Sequence, residues 1–459
     1  MKHFRTAMAV SLILLLACLS AGCGGGSEPA DGAEGDPAQE EGVDAADGDA
    51  MTDPPGDDGV NDPAADAPFD EGADGADGSE GDAVQDVASD DGLVAFECDG
   101  IDSVLAETMV VISRGVPAYA SSSSYPASNA NDDDYNTPWR SSGAVSESSP
   151  AWLAYDLSGV PAAQRQRVLV AWYNTANYFY DYMIFGPATS YNLPEDYRIE
   201  GNAAAGGSPP ADGWVTLATA SGNTYHSRQH AVDLSGFAWI RILITRIAGS
   251  EGNSDAAIDM DVHDASTTGY EDSWIFFGDS ITANAMGPGD SGASGLGSFG
   301  QLVNAGNSSY FPAAENGGIG FFKAVDALDH IDAWLAIFPG KYVCLSYGTN
   351  DVNGNPAGVD ESFSSFRVLV QKILDACKVP CIPHMPWAPE AGVQANAPAL
   401  NARIDELYTE FPEIIHGPDL YTLFEGRNDL FADGLHPNGE GNRLLRETWA
   451  QTMLDAVYR

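Results

Sequence analysis

Basic residues are scarce in this 459-residue chain, where 20 Lys and Arg stand against 67 Asp and Glu for a formal net charge of −47. That balance repels a phosphate backbone and excludes nucleic acid as a partner. Cysteine is also sparse, with six in all, and no spacing among them suggests a zinc site. The apolar run Met8 to Cys18 is too short to span a bilayer comfortably, which takes about 20 residues. From Gly24 to about Asp91 there is no Lys or Arg and almost no large apolar residue, so this stretch cannot bury enough surface to offset its chain entropy.

What is present begins with an export signal over residues 1–23: Lys2 and Arg5, the apolar run, then small residues Ser20-Ala21-Gly22 before Cys23. The last four resemble a bacterial lipobox, which implies lipidation at Cys23 and a membrane-anchored lipoprotein at the outer membrane or cell surface. Leu15-Leu16-Ala17-Cys18 is a second candidate, and an ordinary signal peptide with an incidental cysteine is the alternative. Either way the expected location is extracytoplasmic. Residues 24–92 then read as a disordered acidic linker, a tether reaching roughly 50 Å or more for about 70 residues. An exported chain permits disulfides; among Cys98, Cys344, Cys377 and Cys381 a Cys377–Cys381 bridge is preferred, Cys98 is unassigned, and Cys344 reads as a small buried hydrophobe.

Two rhythms follow. Between Met109 and Ser266 short alternating apolar runs, such as Ala151–Leu157, Arg167–Tyr173 and Trp239–Ile244, are separated by Gly, Asn, Asp and Ser, the pattern of an all-β sandwich. From Ser273 onward, strands (Trp274–Phe277, Lys341–Ser346, Val379–Pro383, Glu413–His416) alternate with helices (Gly320–Phe338, Glu361–Ala376, Ala399–Glu410, Gly439–Tyr458). That alternation predicts an α/β fold, a parallel sheet with helices on both faces and an active site beyond the carboxyl ends of its strands. The composition switches near Thr267 to Glu271, which sets expected domains at 105–268 and 271–459.

The chemistry gathers in the second domain. Trp274 to Phe277 runs straight into Gly278-Asp279-Ser280, where glycine permits a tight turn that lifts the serine hydroxyl above the sheet. A free serine is a weak nucleophile and needs a base with an orienting partner. Asp433-Gly434-Leu435-His436, just before the last helix, supplies both: a carboxylate on one imidazole nitrogen leaves the other to face Ser280. Gly278-Asp279-Ser280, Gly348-Thr349-Asn350-Asp351 and Asp433 to His436 together resemble, in order, three motif blocks of the SGNH or GDSL-type hydrolases. The resemblance implies a flavodoxin-like α/β domain, Ser280 as nucleophile, His436 as base and Asp433 as its orienter. It also implies an oxyanion hole from the Ser280 N–H, a glycine N–H and the Asn350 amide, with no cofactor required for catalysis. Within Asn316-Gly317-Gly318-Ile319-Gly320-Phe321-Phe322, Gly320 fits best as that glycine and Gly318 is the alternative; Phe321-Phe322 departs from the family pattern. Asp279 and Asp351 read as loop braces. Trp387 is either a wall of the substrate pocket or a core residue, His384 a loop histidine outside the chemistry, and the loop Ala285–Ser298 either a border of the cleft or plain surface.

In the first domain, Ser128 to Arg140 with Tyr197–Gly201 and Asp259–Val262 resembles discoidin-type, galactose-binding-like modules of jelly-roll architecture. Such modules often hold a structural calcium, for which Asp132 and Asp134 are the candidates; the bland alternative is a simple turn. Trp139, Tyr178 and Tyr180 can stack on sugar rings or pack in the core. The resulting expectation is an extracytoplasmic carbohydrate esterase that removes acetyl or similar small acyl groups from a polysaccharide by a Ser-His-Asp mechanism, held to its membrane by the lipid. The rivals are a lipase, lysophospholipase or thioesterase, and a non-catalytic glycan-binding surface lipoprotein.

Overall fold

A computed structural model describes residues 103–174, 192–248, 254–266 and 272–459. The export signal with Cys23, the acidic linker, Cys98, Tyr178, Tyr180 and the junction at 267–271 lie outside the described residues.

The first half of the described chain is antiparallel. Strands β1 (Ala118–Ala120), β2 (Trp139–Arg140), β3 (Ala151–Asp156), β4 (Arg167–Asn174), β5 (Leu193–Asn202), β6 (Val215–Ala220), β7 (Ser227–Asp233), β8 (Trp239–Ala248) and β9 (Ala257–Asp264) form two sheets. Their orders are β1-β3-β8-β5-β6 and β2-β9-β4-β7. One apolar cluster draws on both: Leu153, Tyr155, Ile199, Ile240 and Ile242 from the first, Val168, Val170, Trp172, Ile258 and Met260 from the second. Strand period 2 sends the alternate residues of β4 the other way, so Leu169, Ala171 and Tyr173 join a separate cluster with Met109, Tyr135 and Ala313. This explains why β4 reads as an almost unbroken apolar run: it is covered on both faces. Trp139, one of the sugar-stacking candidates, is fully buried and its indole donates to the Ser122 carbonyl at 3.1 Å.

The second half contains β10 (Ser273–Gly278), α1 (Ser280–Ala285), α2 (Phe299–Gly306), β11 (Ala313–Gly318), α3 (Ala324–Ala327), α4 (Ile331–Ile337) and β12 (Tyr342–Ser346). It continues with α5 (Thr349–Val352), α6 (Gly358–Asp375), β13 (Val379–His384), α7 (Ala391–Glu410), β14 (Ile415–Asp419), α8 (Leu420–Phe424) and α9 (Gly439–Ala456). All the strand pairs here are parallel and the order is β11-β10-β12-β13-β14. In chain order that is 2-1-3-4-5, the flavodoxin-like doubly wound sheet, whose switch point lies at β10. One face packs Trp274, Phe276, Tyr342 and Cys344 against Phe299, Trp449 and Met453 of α2 and α9. On the other face Phe277 stacks on Trp334 of α4 at 4.7 Å.

Several sequence expectations are corrected. The edge strand β11, Ala-Ala-Glu-Asn-Gly-Gly, carries none of the β-branched residues that announce a strand; it is held by β10 on one side and covered by the antiparallel half. The helix expected over Gly320–Phe338 starts only at Ala324, after a left-handed turn at Phe321 (φ +67°), and is two short ones separated by a break over Leu328–His330. Helix α7 starts eight residues before the expected Ala399 and contains Pro398. The Cys377–Cys381 bridge does not form. Cys381 is a free, buried thiol on β13 in register with free Cys344 of β12, whereas Cys377 is disulfide-bonded to a partner outside the described residues. Cys377 sits in a left-handed turn at φ +61° before β13 begins, whereas Cys381 lies inside that strand.

Candidate active site

The carboxyl end of β10 is shaped by what cannot fit there. A Cβ on Gly278 would lie 2.2 Å from Thr282 Oγ1 and 2.7 Å from the Ser346 carbonyl, so only glycine lets the chain turn this sharply. Asp279 caps α1, its Oδ1 accepting the Ile281 N–H at 2.9 Å. Ser280 is therefore the first residue of the helix, where backbone N–H groups have no intrahelical acceptor and point at the space above the strand.

His436 reaches that space from the other side. Ser280 Oγ lies 2.9 Å from His436 Nε2, and His436 Nδ1 lies 2.8 Å from Asp433 Oδ2. The second Asp433 oxygen accepts the backbone N–H of His436 at 2.8 Å and of Leu435 at 3.0 Å. Burial opposes ionisation of this carboxyl, but those two N–H groups and the imidazole outweigh it and hold Asp433 below the usual carboxylate range. Gly434, at φ +83°, makes the intervening turn. The loop is fixed at both ends: the Ala432 N–H donates to the His436 carbonyl at 2.9 Å, and Asn438 N–H to Leu430 at 2.8 Å. Sequence spacing three apart thus becomes a relay of carboxylate, imidazole and hydroxyl.

Asn350 comes from α5 at the end of β12. Its Nδ2 donates to the Phe322 carbonyl at 3.1 Å, which places the amide beside the segment following β11. That segment is tied to the serine turn, the Ile319 N–H donating to the Gly278 carbonyl at 2.9 Å. The two glycine candidates differ in their surroundings, and the Gly318 N–H already donates to Asn316 Oδ1 at 3.1 Å. A Cβ on Gly318 would meet Ala283 N at 2.1 Å, so Gly318 serves the packing of α1 on β11. Nothing lies within 4 Å of a Cβ built on Gly320, which borders open space. Ser280, Gly320, Asn350 and His436 are brought together by four different chain segments. The arrangement can attack a carbonyl carbon, move one proton through His436 and meet an oxyanion with N–H donors.

Other candidates go elsewhere. Trp387 is buried in the core and packs edge-on against Phe431, just before the Asp433 loop. His384 pairs with Asp405 at 3.1 Å. Asp351 braces a loop, accepting the Ala324 N–H at 3.1 Å. Asp132 Oδ1 accepts the Asp134 N–H at 2.9 Å, and Asp134 Oδ1 accepts both N–H groups offered by Asn136. Among the described residues no group of three or more His, Cys, Asp or Glu side chains is placed to hold a metal ion.

Sequence reasoning missed the burial of one residue and flagged another without foreseeing its conformation. Burial pushes the Asp279 carboxyl up to about 6, against the pull of the Ile281 N–H, putting a titratable group directly under the nucleophile. Phe321, between Gly320 and Phe322, is 45 % exposed and left-handed. Its departure from the family pattern was the signal available for it.

Residues 276–444 match the model of the GDSL-like lipase/acylhydrolase family. No curated relative matches the chain. Solved structures similar to it include a lipase/acylhydrolase from Enterococcus faecalis, 21% identical over 39% of this chain and 94% of that one, TM-score 0.32. An acetylxylan esterase from Geobacillus stearothermophilus is 19% identical over 39% and 93%, TM-score 0.33. The esterase EstA from a Pseudoalteromonas species is 19% identical over 40% and 96%, TM-score 0.33. The chain carries a GDSL/SGNH-family hydrolase domain, consistent with a carboxylic ester hydrolase.

Proposed function

We propose that this hydrolase is an extracytoplasmic carbohydrate esterase that removes acetyl or similarly small acyl groups from a polysaccharide by a Ser-His-Asp mechanism. The observation that carries the chemistry is the unbroken line from Asp433 Oδ2 through His436 to Ser280 Oγ, with both links below 3.0 Å. His436 takes the Ser280 proton as Oγ attacks the ester carbonyl, and Asp433 stabilises the imidazolium. The oxyanion is met by the N–H groups of Ser280 and Gly320 and by the Asn350 amide. Collapse of the tetrahedral adduct expels the sugar hydroxyl with the proton from His436, and water repeats the sequence on the acyl-enzyme.

The small acyl group is favoured by what surrounds the serine. Of the exposed large apolar residues among those described, Leu105, Tyr125, Val215, Phe321 and Val368, it is Phe321 that flanks the oxyanion segment. A long acyl chain calls for a continuous apolar groove. The sugar is favoured by the antiparallel half, which we propose is a discoidin-like β-sandwich module over 105–268. Export and lipidation at Cys23 rest on residues 1–23.

The test is acetate release from acetylated polysaccharides by the full chain, beside hydrolysis of 4-nitrophenyl esters of graded length. Activity falling steeply beyond about four carbons supports the reading. Preference for chains of eight carbons or more turns it to a lipase, and no labelling of Ser280 by a fluorophosphonate removes the hydrolase mechanism.

A further inference from the structure

We propose that the acidic turn Asp132–Asn136 of the antiparallel half is a positioning element for the Ser280–His436 pair, acting through the loop 286–298; this rests on the hydrolase reading of that pair. The loop leaves α1, the helix that Ser280 begins, and is fastened on its inner side by one arginine. Arg446 of α9, wholly buried, donates from Nε to the Ala285 carbonyl at 2.6 Å and from Nη1 to the Gly289 and Gly297 carbonyls at 2.8 and 3.0 Å. Its Nη2 donates to Ser291 Oγ, and the Asn442 amide to the Ser291 carbonyl at 3.0 Å. Burial pushes this guanidinium down to about 9, Asp290 offsetting part of the shift, so it stays charged at neutral pH. The loop also touches the segment that carries the base. A Cβ on Gly439, which opens α9 directly after His436-Pro437-Asn438, would fall 2.0 Å from the Gly292 carbonyl. Nucleophile helix and base segment are therefore both in contact with one loop.

The outer side of that loop is held from the antiparallel half. Asn136 and Asp290 bond reciprocally: the Asp290 N–H donates to Asn136 Oδ1 at 3.1 Å, and Asn136 Nδ2 donates to Asp290 Oδ1 at 3.3 Å. Gln301, the capping-box residue of α2, donates to the Asp133 carbonyl at 2.7 Å, so the same turn pins where the loop ends. The turn itself is stiff. Asp134 orients Asn136 through its N–H and amide at 3.0 and 2.9 Å. Left-handed Asp133, at φ +74°, pairs with Arg114 at 3.0 Å, and Arg114 with Asp261 of β9 at 2.7 Å. Asp132 accepts the Asp134 N–H at 2.9 Å, and Asp134 aims Asn136 at Asp290. Release of the loop on this side leaves α1 and the His436 segment free to shift, and a displacement well under 1 Å lengthens the Ser280–His436 contact enough to slow attack.

The experiment uses the full chain and measures kcat and KM on 4-nitrophenyl acetate, and the rate of fluorophosphonate labelling. It compares wild type, Asn136→Ala, Asn136→Asp, and Asn136→Asp combined with Asp290→Asn. Asn136→Ala should lower kcat and the labelling rate about three- to tenfold with KM nearly unchanged, the scale of a pair of surface hydrogen bonds. Asn136→Asp should be at least as damaging, because two carboxylates then face each other. The combined variant should be faster than Asn136→Asp but slower than wild type, since the new amide at 290 can donate to the new carboxylate at 136 while that carboxylate still faces Asp134. Unchanged kcat in both single variants, an effect confined to KM, or a combined variant no faster than Asn136→Asp would each overturn the proposal. A wild type that is not labelled at Ser280 defeats the hydrolase reading and the positioning role with it; a labelled wild type with unaltered variants defeats the positioning role alone.

Discussion

Two neighbourhoods of this molecule gather polar side chains, and they differ in how far they are open to water. At the carboxyl edge of the parallel sheet, Ser280, His436 and Asp433 form a line whose hydroxyl end faces open space beside Gly320. Along the seam where β11 meets the antiparallel half, Glu315 accepts from Ser227 Oγ at 3.0 Å, Ser273 bonds Gln229, and His263 Nδ1 meets the Phe311 carbonyl at 3.1 Å. The seam has equally perturbed groups: burial pushes Glu315 up to about 7, and pushes His263 down to about 4. Yet it is closed on every side, with Ser227, Glu315 and His263 essentially inaccessible. Perturbed acidity thus marks burial in both places, and chemistry needs the further condition of an approachable nucleophile.

The two serines give the sharpest way to break that comparison. Ser280→Ala should lower ester hydrolysis by at least about 10⁴-fold and leave the melting temperature unchanged, because the nucleophile supports no packing. Ser227→Ala should do the reverse, costing about 1 to 3 kcal/mol through a buried carboxyl deprived of its donor, with kcat unaffected. Kinetics and thermal melts on the same preparations decide it; a stability loss in Ser280→Ala, or a kcat loss in Ser227→Ala, would blur the distinction. Next in size is Asn350→Ala. Losing one oxyanion donor should cost about 10² to 10³ in kcat with little change in KM. An effect on KM instead would make Asn350 a substrate-binding residue.

How far each region could be read from sequence follows the same division. The active edge was legible because its chemistry is concentrated in short runs: Gly278-Asp279-Ser280 needs its glycine sterically, and Asp433 to His436 needs one turn. The seam was illegible because its partners are far apart in the chain and its strand lacks strand-like residues. Ala313–Gly318 is held by pairing with β10 and by packing on Tyr173 and Leu169, neither of which its own composition encodes. The disulfide assignment failed similarly: spacing along the chain suggested Cys377 with Cys381, while Cys377 lies in the turn before β13 and Cys381 is buried within it beside Cys344. Trp387 also could not be placed from its neighbours, since the aromatic partner Phe431 that fixes it in the core lies on another loop.

Glu315 sharpens the comparison through pH. Its carboxyl is pushed up from the unfolded value near 4.5 to about 7, so the folded chain binds a proton there that the unfolded chain has already lost. Stability from this group is full below about pH 4.5 and is lost as pH rises through 7, on the order of 3 kcal/mol in all. Asp272, pushed up to about 8 by burial, extends the loss upward. Glu315→Gln keeps an acceptor for Ser227 and cannot ionise, so its melting temperature relative to wild type should rise between pH 5 and pH 8. A constant difference across that range would mean that Glu315 is ionised in the fold and compensated.

The smallest expected effect is at Phe321, and it sets the active edge against the rest of the fold on strain. Asp133, Asn192 and Ser291 also sit at positive φ, but short polar side chains tolerate that region, whereas a phenyl ring does not. The conformation costs about 1 kcal/mol, and it persists between the Gly320 N–H and the Phe322 carbonyl that Asn350 binds. Relief by Phe321→Gly should raise the melting temperature slightly, since the ring is 45 % exposed and its removal opens little cavity. The same change should lower kcat/KM about two- to fivefold, because a freed backbone no longer holds the Gly320 donor in place. If stability falls instead, the ring contributes more by packing than its backbone costs, and the strain at this edge is incidental to the oxyanion geometry. If stability rises and activity is unchanged, the left-handed turn is tolerated and not used, and the difference between the two neighbourhoods reduces to access alone.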